Sequence, residues 1–262
     1  MKLFLKKLFR TFFKAKYIVP FKYYYSKIRG HLEPEIGLLP YILSGTGRVI
    51  DVGANQGMYS YPLSNMCTHL EVFEPNPYCS DILISWAQAV SNVNVYPVAL
   101  SDVEGVASLR VPVDSSGIEH DASASLEILQ SGQFSEYLVK SETLDSFEFK
   151  NVALIKIDVE GHEHRVIQGA RHTISIERPA LLIEIEQRHH VRPISEVFSQ
   201  IMSLDYDGFY LLDQVLCPLD KFDSSKHQLI SNLGGSHGRY INNFLFLHRA
   251  RLVAGDYDLL LS

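Results

Sequence analysis

Between residues 48 and 186, short runs of β-type apolar residues recur, and each ends in a turn followed by a stretch suited to a helix. RVIDVG leads into a helix expected from about Gln56 to Met66, and HLEVFEPN into one from about Pro77 to Val90, with proline in its first turn. NVNVYPVAL, VALIKIDVEG and PALLIEIE continue the series, with a helix expected from about His162 to Gly169. Strands joined through helices leave few topologies, so this repetition calls for a mainly parallel sheet wrapped by helices. Further on, a helix near ISEVFSQIMSL precedes GFYLLD and YINNFLFLHR, whose polar connection fits an antiparallel pair ending the sheet.

The turn after the first strand, VIDVGANQG, is where a ligand would be held. Gly53 and Gly57 let the backbone turn tightly and come close to a bound group, and helix-start amides offer hydrogen bonds. Their G-x-x-x-G spacing is not the dinucleotide fingerprint, because position 55 is Asn, so a smaller and less anionic ligand than a pyrophosphate is expected. Glu74 ends the next strand, where an acid can bond both hydroxyls of a ribose. Asp51 and Glu74 therefore read as a nucleoside site, or else as caps of the helices that follow them.

Charge narrows the partners. Residues 1–30 hold nine of the 24 Lys and Arg and no acid, which leaves fifteen basic against 30 acidic side chains in the rest. An acidic body is a poor match for phosphate backbones, so no nucleic-acid partner is expected. On a helical wheel, MKLFLKKLFRTFFKAK places Phe4, Leu5, Leu8, Phe9, Phe12 and Ala15 opposite a stripe of Lys2, Lys6, Arg10 and Lys14, closed off near Pro20. Such a segment suits an anionic lipid surface, or packing on the protein's own body or on a second copy. The organisation expected is a basic amphipathic arm over 1–30 and a catalytic domain over 31–262. Cys67, Cys79 and Cys217 have no metal-like spacing and no even count, and no signal peptide or membrane-spanning run is apparent. The expected location is the cytoplasm, with peripheral contact to the inner membrane surface as a variant.

VIDVGANQG, FEPNP, VALSDVEG, TLDSF, LIKIDVEGHEHRVIQGA and PALLIEIE, in that order, resemble the FkbM-type S-adenosylmethionine-dependent methyltransferases over roughly residues 48–248. The resemblance implies a class I methyltransferase (Rossmann-like) α/β fold: a seven-stranded, mainly parallel sheet with its last strand antiparallel and helices on both faces. It also implies S-adenosyl-L-methionine as cofactor. Asp51, Gly53, Ala54, Asn55 and Gly57 would line its methionine part, Glu74 would hold the ribose, and Val98 to Ser101, including Ala99 and Ser101, would border the adenine.

Methyl transfer to a hydroxyl is an in-line displacement that needs an aligned acceptor and removal of its proton. The catalytic candidates lie in KIDVEGHEH: Asp158, Glu160 and His162, with His162 suited by type to proton removal near neutral pH. The alternatives are helix capping by Asp158, a helix-dipole role for Glu160 and Glu163, and a solvated first-turn position for His162. Lys156, inside an apolar strand, should find a partner such as Glu184. A divalent metal held by Asp158, Glu160 and Glu184 is conceivable chemically but not favoured, because no spacing demands it. His120, Ser123, Ser125, His237 and Arg239 lie in loops that could contact a sugar.

The leading reading is an O-methyltransferase acting on a hydroxyl, on a sugar of a glycan, glycolipid or natural product. An NAD-linked oxidoreductase and a non-catalytic, membrane-recruited cofactor-binding module are the alternatives.

Overall fold

The structure is a computed structural model that describes residues 15–43, 47–127, 132–232 and 239–261. Residues 1–14 of the amphipathic helix expected over residues 1–16, and the loop residue His237, lie outside the described residues. The first described helix, α1 (Ile18–Arg29), carries Pro20 in its first turn, so this proline opens a helix rather than closing one. Ile18 and Val19 are buried against the body, and Tyr23 and Tyr24 meet the ring of Tyr61, which also contacts Trp86.

The strands follow in chain order as β1 (Arg48–Val52), β2 (His69–Phe73), β3 (Val93–Tyr96), β4 (Ala99–Leu100), β5 (Gly105–Val113), β6 (Gln133–Glu142), β7 (Val152–Ile157), β8 (Ala180–Glu184), β9 (Tyr206–Leu212), β10 (Val215–Pro218) and β11 (Asn243–His248). The main sheet runs β10-β9-β11-β8-β7-β1-β2-β3. β3, β2, β1, β7 and β8 are mutually parallel, and β11 is antiparallel to both β8 and β9. Seven strands with the last one reversed is the class I methyltransferase arrangement. An eighth, β10, is added at the edge, antiparallel to β9.

Apolar runs buried on both faces explain why the central strands lack a clean polar alternation. Ile50, Val52, Ile155, Ile157 and Phe244 face one core layer, and Val49, Leu70, Val72, Leu154 and Leu245 face the other.

Two sequence expectations are corrected. NVNVYPVAL is not one strand: Pro97 interrupts it, and Ala99–Leu100 leave the main sheet to pair with β6 in a second sheet ordered β4-β6-β5. The helix expected from Gln56 to Met66 shortens to Ser60–Ser64, because Asn55 (φ 50°) and Gly57 (φ 82°) keep the preceding residues in turns. Helix α3 (Pro77–Ala87), counting Ser60–Ser64 as α2, ends three residues early, and α4 (Glu163–Gly169) takes His162 as its N-cap. None of the three cysteines is in a disulfide. Among the described residues no helix is long and apolar enough to cross a membrane.

Candidate functional site

A crevice opens over the carboxyl ends of β1, β2 and β7, the place where open parallel sheets bind ligands. Its floor is the β1 turn. Gly53 has φ +75°, and a Cβ there would lie 1.8 Å from the backbone oxygen of Asp158, so only glycine lets this turn press against the end of β7. Asn55, next but one, adopts a left-handed conformation and aims its backbone N–H at Glu74 Oε2, 2.6 Å away. The Asn76 N–H donates to the other oxygen, Oε1, at 2.8 Å. Glu74 is therefore a buried carboxylate with both oxygens fixed by backbone amides. Burial pushes its pKa up to about 7, against the downward pull of those two amides.

The walls are apolar where a flat base would lie: Phe73, Val98, Ala99, Leu100, Leu109 and Leu126. From the other side Asp158, Glu160 and His162 reach the same space. Of the residues singled out in the sequence, the crevice brings together Gly53, Asn55, Glu74, Val98, Ala99, Leu100, Ser125, Asp158, Glu160 and His162.

It does not bring in the others. Asp51 is buried on the face of β1 that points toward α2, where Ser60 Oγ donates to its Oδ2 at 2.5 Å, and burial raises its pKa to about 6. Ala54 packs in the core, and Gly57 makes room for Val19 and Leu83, since a Cβ there would sit 2.8 and 3.0 Å from them. Ser101 lies just outside the lining and contacts His162 instead.

The Ser101 contact belongs to a chain of hydrogen bonds. His162 is buried, with Nε2 2.9 Å from Ser101 Oγ and Nδ1 2.7 Å from Glu127 Oε1. The bond from His162, with the Arg165 charge nearby, holds the Glu127 carboxyl below its ordinary range against the opposing effect of burial. An ionised Glu127 can only accept, so His162 donates to it through Nδ1, while Ser101 Oγ, which also donates to Asp102 Oδ1 at 3.1 Å, faces Nε2. Glu127 was not foreseen in the sequence. It lies 35 residues before His162, and the only local hint was its place in the polar loop after β5.

Lys156 is buried with no ion pair to Glu184. Its Nζ is 3.4 Å from Asn243 Oδ1 and lies 4.9 Å from the centre of the Tyr59 ring. Burial would lower its pKa, but Asp158, Glu184, Glu33 and Asp51 outweigh it and raise it. Burial likewise raises Asp158 and Glu184, with Lys156 opposing in both and other carboxylates adding to the rise.

The loop candidates scatter. Ser125 borders the crevice and donates to the Glu160 backbone oxygen at 2.7 Å. His120 lies 3.3 Å from Asp114, and Arg239 pairs with Asp213. Asp121 also lines the crevice and accepts from Gln56 Nε2 at 3.2 Å.

The model of the methyltransferase FkbM domain matches residues 51–209, more than half of the chain. No curated protein matches. Among solved structures, similarity extends to a methyltransferase FkbM from Methylobacillus flagellatus KT, 17% identical over 77% of this chain and 44% of that one, with a TM-score of 0.49. The present chain thus spans less than half the length of that protein. A TehB-like SAM-dependent methyltransferase from Corynebacterium glutamicum is 9% identical over 89% and 98% of the two chains, with a TM-score of 0.43. A Streptococcus mutans chain solved in complex with SAH is 9% identical over 81% and 94%, with a TM-score of 0.41.

Proposed function

The chain belongs to the FkbM methyltransferase domain family, and from that premise we propose that it moves a methyl group from S-adenosylmethionine to a hydroxyl of a sugar, on a glycan, glycolipid or related natural product. The observation that carries the cofactor's placement is Glu74: a carboxylate at the end of β2, with both oxygens aligned by backbone amides, at the mouth of a crevice whose far wall is apolar. That donor and acceptor set fits a ribose diol beside a flat base.

When bound, the cofactor supplies an electrophilic methyl on a cationic sulfur. The chain's residues do the rest. Asp158 and Glu160 place negative charge beside the crevice, which favours a cation there. His162 Nε2 is the proton acceptor for the attacking hydroxyl, oriented by Glu127 through Nδ1, and Ser101 must rotate off Nε2 for the acceptor to reach it. Incubation with methyl-labelled S-adenosylmethionine and a glycan and glycolipid extract tests the reading. Label in a base-stable sugar methyl ether is expected with the wild type and not with His162→Ala. Label confined to protein or nucleic acid would overturn the acceptor class.

The amino-terminal region supports a location for such an acceptor. Tyr17, Phe21, Tyr24, Tyr25 and Ile28 are exposed at helical spacing along and just before α1, among Lys16, Lys22, Lys27 and Arg29 with no acid. This stripe suits anionic lipid headgroups. Flotation with phosphatidylglycerol vesicles at low salt is the expected outcome, and indifference to them would remove the membrane component.

A further inference from the structure

We infer that Glu160, Glu186 and His189 form a divalent-cation site at the edge of the crevice. Glu160 follows β7 in a left-handed conformation (φ 52°), and Gly161 after it has φ +102°. A Cβ on Gly161 would lie 2.7 Å from the His189 backbone oxygen, so this glycine allows the β7 turn to close on the Gln187–His189 turn that follows β8. One ligand atom from each of Glu160, Glu186 and His189 then falls within 4.8 Å of the others.

The imidazole supplies an independent sign of a ligand. His189 is only 7% exposed, and its Nε2 lies 2.7 Å from Glu160 Oε2 and 3.8 Å from Glu186 Oε1, yet it is hydrogen-bonded to neither. His189 Nε2 is thus a buried nitrogen set between two carboxylates with no aligned hydrogen bond to either. A cation about 2.1 Å from each donor would separate neighbouring ligands by about 3 Å, the scale found here.

Arg188 sets the affinity. It donates to both oxygens of Glu186, at 2.7 and 2.8 Å, and Tyr240 donates to Oε2 as well. Each carboxylate oxygen accepting from the guanidinium still has lone-pair capacity for a metal, but the guanidinium charge competes with the ion. Binding should therefore be moderate and strengthen when Arg188 is removed. One imidazole and two carboxylates suit Mn²⁺, Fe²⁺ or Zn²⁺ better than Ca²⁺ or Mg²⁺.

Because Glu160 also lines the crevice, an ion held here would lie beside it and could polarise an acceptor oxygen. That role rests on the methyltransferase reading; the ion binding does not.

The test is titration of MnCl₂ into wild-type protein and the variants Glu160→Gln, His189→Ala and Arg188→Ala, with free Mn²⁺ read by electron paramagnetic resonance. Saturable binding is expected for the wild type, weakened at least about tenfold in Glu160→Gln and His189→Ala and tightened in Arg188→Ala. Absence of saturable binding to the wild type overturns the site. Equal affinity in the wild type, Glu160→Gln and His189→Ala also overturns it, by placing the ion elsewhere. Calorimetric titration of S-adenosylhomocysteine into the same samples separates the two claims. Mn²⁺ binding without S-adenosylhomocysteine binding would count against the methyltransferase reading alone, and the reverse would count against the cation site alone.

Discussion

The two sides of the crevice hold their carboxylates in opposite ways. At the end of β2, Glu74 has each oxygen fixed by a backbone amide, and those amides belong to a turn and a helix start that cannot move independently. At the ends of β7 and β8, Asp158, Glu160, Glu184 and Glu186 face one another across a space that Lys156 and Arg188 only partly neutralise. A carboxylate held by backbone is pre-organised to recognise a neutral group of fixed geometry, such as a diol. On the other side, burial and neighbouring carboxylates raise Asp158 and Glu184, while Arg188 holds Glu186 down against burial, and the field of the group favours a positive charge. One side reads shape and the other supplies electrostatics, and the backbone of Gly53 against Asp158 ties them together.

Breaking that tie should have the largest effect. Gly53→Ala puts a Cβ 1.8 Å from a backbone oxygen at a positive φ, so neither side can keep its place. Loss of about 3 kcal/mol or more of stability is expected by urea unfolding, and a fully stable variant would mean that the contact is not tight.

A smaller effect, confined to the electrostatic side, is expected from the histidine chain. His162→Ala should lower kcat about a hundredfold while leaving cofactor affinity unchanged. Glu127→Gln should lower kcat less and shift the pH profile, because it removes the group that fixes the tautomer. A loss of cofactor affinity equal to the loss of kcat would move His162 to the recognition side.

The smallest effect is in pH dependence. Burial raises Asp51 to about 6 and Glu74 and Glu35 to about 7. In each case the folded chain holds its proton to higher pH than the unfolded chain. The resulting stability is complete below the unfolded carboxyl values near 4 and is lost as pH rises through 6 to 7. Ligand-free protein should melt at a higher temperature at pH 5 than at pH 8, with Glu74→Gln flattening the profile. A melting temperature that rises steadily to pH 8 would show that these carboxylates ionise freely in the fold.

The strand and helix repetition made the main sheet legible in the sequence, including the antiparallel pairing of GFYLLD with NFLFLH. The second sheet was missed because β5 and β6 are half exposed. Their period-2 burial, with Ala107, Leu109 and Val111 turned inward, is written among polar and turn-forming residues that read as loop. The site was legible where one motif supplies neighbouring atoms, as in Gly53, Asn55 and the KIDVEGH segment. It was not legible where strand alternation decides, as with Asp51, which turns away from the crevice. Nor was it legible where distant segments meet: Glu127 with His162, or Glu186 and His189 with Glu160. No spacing in the chain encodes those meetings, since they depend on where the loops after β5 and β8 land.

The most direct test of the central claim is calorimetric titration of S-adenosylhomocysteine into the wild type and Glu74→Gln. One-to-one binding to the wild type, weakened about tenfold or more in the variant, is expected from the loss of charged hydrogen bonds worth about 1.5–3 kcal/mol. Equal binding by both proteins, or no binding to the folded wild type, would contradict the placement of the cofactor in this crevice.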